Sequence, residues 1–149
     1  MFPPSFADFV SFVRNDMGIS TAVLPDDSTS LAVSFGKAGE FMPAYLACAE
    51  IMYSYTDALL NLGGAYLIQS AVDVAGSSFF DDLRNAFKMT GAWRSGVITS
   101  SSDNASSAST AVGNAMQNLN LADLQLLQTP YGRTALAFLQ EMGTYWGIS

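Results

Sequence analysis

The stretch from Ala44 to Ile68 constrains the fold more than any other part of the chain. At helical spacing, Leu46, Cys48, Ala49, Met52, Tyr55, Ala58, Leu59 and Leu62 place apolar groups around nearly the whole cylinder. A helix apolar on most sides has to be covered by neighbours on several faces, so it belongs at the centre of the fold. Pro43 fits its first turn, where no amide hydrogen is needed. Glu50 and Asp57 are its acids and are expected to mark the exposed edge. Gly63-Gly64 is expected to interrupt or kink the helix before Ala65-Tyr66-Leu67-Ile68 continue it.

Around that centre the sequence supplies shorter amphipathic helices. Ser5 and Asp8 have the spacing of a capping box, in which the hydroxyl accepts from the Asp8 amide and the carboxylate sits at the positive end of the helix. Phe6, Phe9, Val10, Val13 and Met17 then form one apolar face, and Gly18 supplies a left-handed stop. Pro25-Asp26-Asp27 is a turn that opens a second helix, capped by Asp27 or Ser28, with Leu31, Phe35 and Ala38 as its stripe. A short helix is expected from Ser78 to about Met89, capped by Ser77 or Ser78, and another over Asn118 to Leu127. Thr129 is a fit cap and Pro130 a fit first residue for a last helix carrying Tyr131, Ala135, Phe138, Leu139 and Met142 on one face.

Between Ser95 and Thr110 the composition changes to seven serines and two threonines. Burial there cannot offset roughly 1–2 kcal/mol of backbone ordering per residue. The segment reads as a loop, or as a hairpin that becomes ordered against another chain. In the hairpin reading Val97-Ile98-Thr99 and Ala111-Val112 are the strand ends and Asp103-Asn104 the turn. The fold class expected is therefore mainly α, a bundle of about five to six helices with a Ser-rich loop or β-hairpin excursion. Residues 1–149 read as a single domain, with the excursion at 95–110 and a C-terminal docking helix at 130–146.

Chemistry is harder to find. The chain has no histidine, which removes the common general base and metal ligand and every Ser-His or Cys-His pairing. Asp26-Asp27 and Asp81-Asp82 are adjacent pairs that point about 100° apart on a helix, so they read as helix-start charges rather than chelates. Cys48 sits in an apolar run with no basic neighbour in sequence and reads as a small buried hydrophobe. No enzyme activity, metal or cofactor is expected. No apolar window reaches the length of a membrane span, and Met1-Phe2-Pro3-Pro4 has no signal-peptide character. Asn104-Ala105-Ser106 matches a glycosylation sequon, read as a chance match in the absence of such a signal.

Charge points towards partners. Thirteen acids against six basic residues give a net charge of −7, which opposes a phosphate backbone. Arg84, Lys88 and Arg94, beside Asp81 and Asp82, read as a solvated helix face rather than a nucleic-acid footprint. Charged residues make up 13% of a chain that is half apolar, so part of its surface is expected to be covered by other proteins. The terminal aromatics Tyr145 and Trp146 are candidates for such docking.

Leu126-Leu127-Gln128-Thr129-Pro130-Tyr131-Gly132-Arg133, followed by an aliphatic-aromatic helix, resembles the closing signature of the head–tail connector (adaptor) proteins of tailed bacteriophages. In that family a serine-rich hairpin loop precedes the element, and Gly96 through Ser109 occupies that place here. Tyr53 to Ile68 resembles the family's central helix and Phe6-Ala7-Asp8-Phe9 its opening helix. The chain departs from the pattern at Gly64-Ala65-Tyr66, where the family often carries a histidine, and in the 78–89 segment. The resemblance implies a structural protein of the virion neck, assembled in the host cytoplasm. Its copies would form a homo-oligomeric ring, typically twelvefold, between the portal protein and the next neck or tail component. DNA would pass through the lumen without specific binding, and no membrane would be involved. The signature residues would be Thr129, Pro130, Tyr131, Gly132 and Arg133. Portal docking would fall to Phe138, Met142, Tyr145, Trp146 and Ile148, and Val97, Ile98, Asp103 and Asn104 would meet a neighbouring subunit or neck component. The runner-up readings are another neck or tail protein (stopper, tail-tube or decoration protein) and a helical protein-binding module.

Overall fold

The computed structural model describes residues 3–42, 52–89, 100–103, 106–109 and 125–143. The architecture is mainly helical: α1 (Phe6–Asn15), α2 (Thr29–Phe41), α3 (Met52–Ser70), α4 (Phe79–Ala86) and α5 (Pro130–Gly143), with strands β1 (Ser100–Asp103) and β2 (Ser106–Ser109) between α4 and α5. Cys48, Glu50, Arg94 and the 118–124 segment lie outside the described residues.

Local chemistry sets the helix starts. At α1 both halves of the capping box form: the Asp8 amide donates to Ser5 Oγ at 3.3 Å and the Ser5 amide donates to Asp8 Oδ2 at 2.7 Å. Those bonds, the backbone one foremost, hold the Asp8 carboxyl below its ordinary value. Gly18 follows α1 with φ +69°, the left-handed turn its position suggests. Ser28 caps α2, its Oγ accepting from the Ser30 amide at 3.3 Å.

The central helix α3 packs against α1, α2, α4 and α5. Its Tyr55, Ala58, Leu59 and Leu62 share one core with Ala38 and Met42 of α2, Leu126, and Ala135 and Leu136 of α5. Its far end shares a second core, where Leu67 and Ala71 meet Phe9, Val13, Ile19, Leu24, Leu31 and Phe80. Met42 therefore lies by the start of α3 and Leu31 by its end, so α2 and α3 run antiparallel. The Tyr55 hydroxyl donates to the Met42 carbonyl at 2.7 Å, so the buried ring's polar end is satisfied, and burial raises the Tyr55 pKa.

The glycine pair does not interrupt α3, which runs unbroken from Met52 to Ser70. The reason is a close approach. A Cβ on Gly63 would lie 2.7 Å from the Phe9 ring, and one on Gly64 would lie 3.1 Å from the Met17 sulfur and 3.3 Å from the Phe12 ring. The missing side chains let α1 lie against α3, and that packing outweighs about 1 kcal/mol of lost helix propensity per glycine.

Two further expectations change. The α4 cap is shared: Ser77 Oγ accepts from the Phe79 amide at 3.3 Å, in keeping with the Ser77 alternative, but the Ser78 side chain makes no cap bond and Asp73 accepts from the Phe80 and Asp81 amides at 2.8 and 3.0 Å. Arg84 does not stand on a solvated face either. Its Nη1 donates to the Ile68 and Ala71 carbonyls at 3.1 and 2.8 Å, and its Nη2 pairs with Asp81 at 2.6 Å. The guanidinium thus serves carbonyls at the end of α3, where positive charge is favoured.

The strands pair antiparallel with Ser100 opposite Ser109 and Asp103 opposite Ser106. The ladder lies inside the serine run, and Asp103 is the last residue of β1 instead of a turn residue. Val97, Ile98, Asn104, Ala111 and Val112 lie outside the described residues.

Candidate partner-binding surfaces

The Thr129–Arg133 element is built as a lock at the start of α5. Gln128 and Thr129 amides donate back to the Gln125 and Leu126 carbonyls at 3.2 and 3.3 Å, forming the turn that precedes the helix. Thr129 is fully buried, and its Oγ1 accepts from the Gly132 amide at 2.9 Å while its carbonyl accepts from the Arg133 amide at 3.1 Å. Pro130 opens the helix without an orphaned amide. The Tyr131 ring meets Phe12 edge-on with centroids 6.1 Å apart, and burial, with the Asp16 charge second, raises its pKa. Gly132 has no room for a side chain: a Cβ there would lie 2.0 Å from the Leu126 carbonyl oxygen. Arg133 is exposed.

The five signature residues form the start of α5, and Phe138 and Met142 lie further along the same helix. Phe138 is half-buried and packs against the core of Tyr55, Ala58, Leu59 and Leu62. Met142 lies on the last turn of α5, and Tyr145, Trp146 and Ile148 lie outside the described residues. Asp103 is paired within the hairpin.

Among the described residues the large apolar side chains left outside are Phe6, Val33, Phe41, Tyr53 and Val72. Tyr53 is 75% exposed and Phe41 49%, at the facing ends of α3 and α2. Among the described basic residues two are turned inward, which sequence reasoning missed. Besides Arg84, Arg14 spans the loop after α1. Its Nη1 donates to the Ile19 carbonyl at 2.8 Å and its Nε to Asp26 at 3.0 Å, and Nη2 reaches the Leu24 carbonyl. An Arg in the last turn of a helix is the available signal for such a role. Asp26 is consequently a loop anchor, whereas Asp81 and Asp82 lie in the first turn of α4.

Gln69, Arg84, Met89, Gln125 and Gln128 line a cavity of about 160 Å³ at the end of α3. Its lining offers amides, a thioether and a guanidinium already bonded to Ile68, Ala71 and Asp81. Among the described residues no three acidic or cysteine side chains come together as a metal site, and no helix is long and apolar enough to cross a membrane. Comparison with family models, with curated proteins and with solved structures finds no match for this chain.

Proposed function

We propose that the chain is a structural protein of the tailed-phage neck, a head–tail connector whose copies form a ring between the portal and the tail. The observation that carries this reading is the apolar surface the fold leaves outside, with Phe41 and Tyr53 as its largest members. A charge-poor protomer that exposes aromatics gains by covering them with copies of itself. The mainly helical fold weighs against the β-rich stopper, tail-tube and decoration proteins. The lock at Thr129–Gly132 supports the resemblance by giving each of those residues a physical task. The net charge of −7 suits a lumen through which DNA slides without being held.

Class averages of the purified protein by electron microscopy, with its mass in solution, test the reading. A ring with a central hole is expected. A single protomer at high concentration, with and without portal protein, overturns it.

A further inference from the structure

The outward face of α2 and the back of the α3 N-terminal half have unlike, matching chemistry. On α2, Leu31, Ser34 and Ala38 are buried, while Ala32, Val33, Gly36, Lys37, Glu40 and Phe41 are exposed. Gly36 and Gly39 differ from the other helical glycines: nothing lies within 4 Å of a Cβ built on either. A mid-helix glycine costs about 1 kcal/mol relative to alanine, and no close approach among the described residues offsets it. The face offers one cation, Lys37, which has no ion pair among the described residues, between exposed Val33 and Phe41. These three stand four residues apart and so form a single stripe.

On α3, Tyr53 and Asp57 also stand four residues apart, both exposed. At about 100° per residue they lie on the far side of the helix from Leu59 and Leu62, which face the core shared with α2 and α5. Further along, α1 covers that same side at Gly64. At the N-terminal half Tyr53 and Asp57 are exposed. The α2 stripe and the Tyr53–Asp57 patch therefore look out from different sides of the protomer, the first carrying Lys37 with Glu40 beside it and the second Asp57 alone, each with an exposed aromatic. Heterologous association requires two different, complementary patches of this kind.

We infer that the occupant of the α2 face is a second copy of this chain, which seats its Tyr53–Asp57 patch on Val33, Lys37 and Phe41 so that Lys37 pairs with Asp57 across the contact. This rests on the ring reading and specifies its subunit interface. Two Tyr53–Asp57 patches would bring like charges together, and two α2 faces would pair Lys37 with Glu40 instead, so the response to Asp57→Lys distinguishes the proposed contact from α2 packing on itself.

Charge exchange tests it. Lys37→Glu and Asp57→Lys are each measured alone and together by light scattering and mass measurement across a concentration series, with circular dichroism as the fold control. Both sites are exposed, so the fold is expected to persist. Each single change should weaken subunit association by roughly tenfold or more, and the double exchange should restore it. Singles that assemble like the native chain, or a double that fails to regain assembly, overturn this interface while leaving the ring intact. A native chain that never assembles overturns the ring reading itself.

Discussion

Gly132→Ala is the sharpest test of the lock at the start of α5. The added methyl would lie 2.0 Å from the Leu126 carbonyl oxygen, and 2.7 and 2.9 Å from that residue's carbonyl carbon and Cα. The obstacle is backbone, so no rotamer change relieves it. The gap must open by about 1 Å or more to reach ordinary contact. The Leu126 carbonyl accepts from the Thr129 amide, and its side chain is buried among Tyr55, Ala58 and Leu59, so neither side yields freely. Overpacking of this kind costs up to about 3 kcal/mol. Alanine recovers about 1 kcal/mol of helix propensity, which leaves a net loss of about 2 kcal/mol. For a chain of this size that corresponds to a melting temperature lower by roughly 6–8 °C, and to a urea midpoint lower by about 1 M. Gly39→Ala is the control, because nothing lies within 4 Å of its added methyl; it should raise stability by about 0.5–1 kcal/mol. All three proteins are compared at one concentration in urea, since assembly would otherwise shift the midpoints. A Gly132→Ala protein as stable as the native one would refute the close approach and the lock built on it.

Other consequences follow from single contacts. Arg84→Met keeps the aliphatic stem but strips the Ile68 and Ala71 carbonyls of their donor, and should cost about 1–3 kcal/mol in thermal unfolding; an unchanged transition would show that water serves those carbonyls equally well. At Asp8 the folded pKa is depressed, so its contribution is present above the ordinary carboxylate range and lost as pH falls through the folded value. Urea midpoints of Asp8→Asn and native protein should accordingly converge below about pH 4, and a gap that persists into strong acid would exclude the carboxylate as its source. Deleting Tyr145 to Ser149 should abolish attachment to the portal while leaving the helical dichroism intact; retained attachment would remove those residues from the docking surface.

What the sequence reveals divides by the range of the interaction. The Ser5–Asp8 box, the Ser28 cap and the Thr129-Pro130 start are bonds between residues two to four apart, and helix geometry writes that spacing into the chain. Asp73 caps α4 from seven and eight residues upstream, and Arg84 reaches back sixteen residues to Ile68; neither partner is marked by any local pattern. Charge class misled for the same reason: Arg84 resembles a solvated lysine in sequence until the end of α3 is placed beside it. Gly63-Gly64 carries a helix-breaking signal, and only the neighbouring Phe9, Phe12 and Met17 turn it into a packing surface. In the candidate site, the start of α5 is legible because Thr129 and Pro130 act on their own turn, whereas the Tyr131 contact with Phe12 and the close approach of Gly132 to Leu126 come from the fold. The α2 stripe is not, because Val33, Lys37 and Phe41 become a surface only once Leu31, Ser34 and Ala38 are known to face inward.

The glycines bring these strands together. Three of them, Gly63, Gly64 and Gly132, each stand against a neighbour that a methyl would press upon, so the protomer itself explains them. Gly36 and Gly39 lie within a thirteen-residue helix with no described atom within 4 Å of an added Cβ, and helix stability alone would favour alanine at both. On the ring reading, small residues with no described neighbour fitted against them suit a contact made outside the protomer. The same helix exposes Val33 and Phe41 and carries a lysine unpaired within the described fold, while two arginines are spent on internal carbonyls. On the same reading, the face best suited to receive another helix is the one the described fold leaves bare.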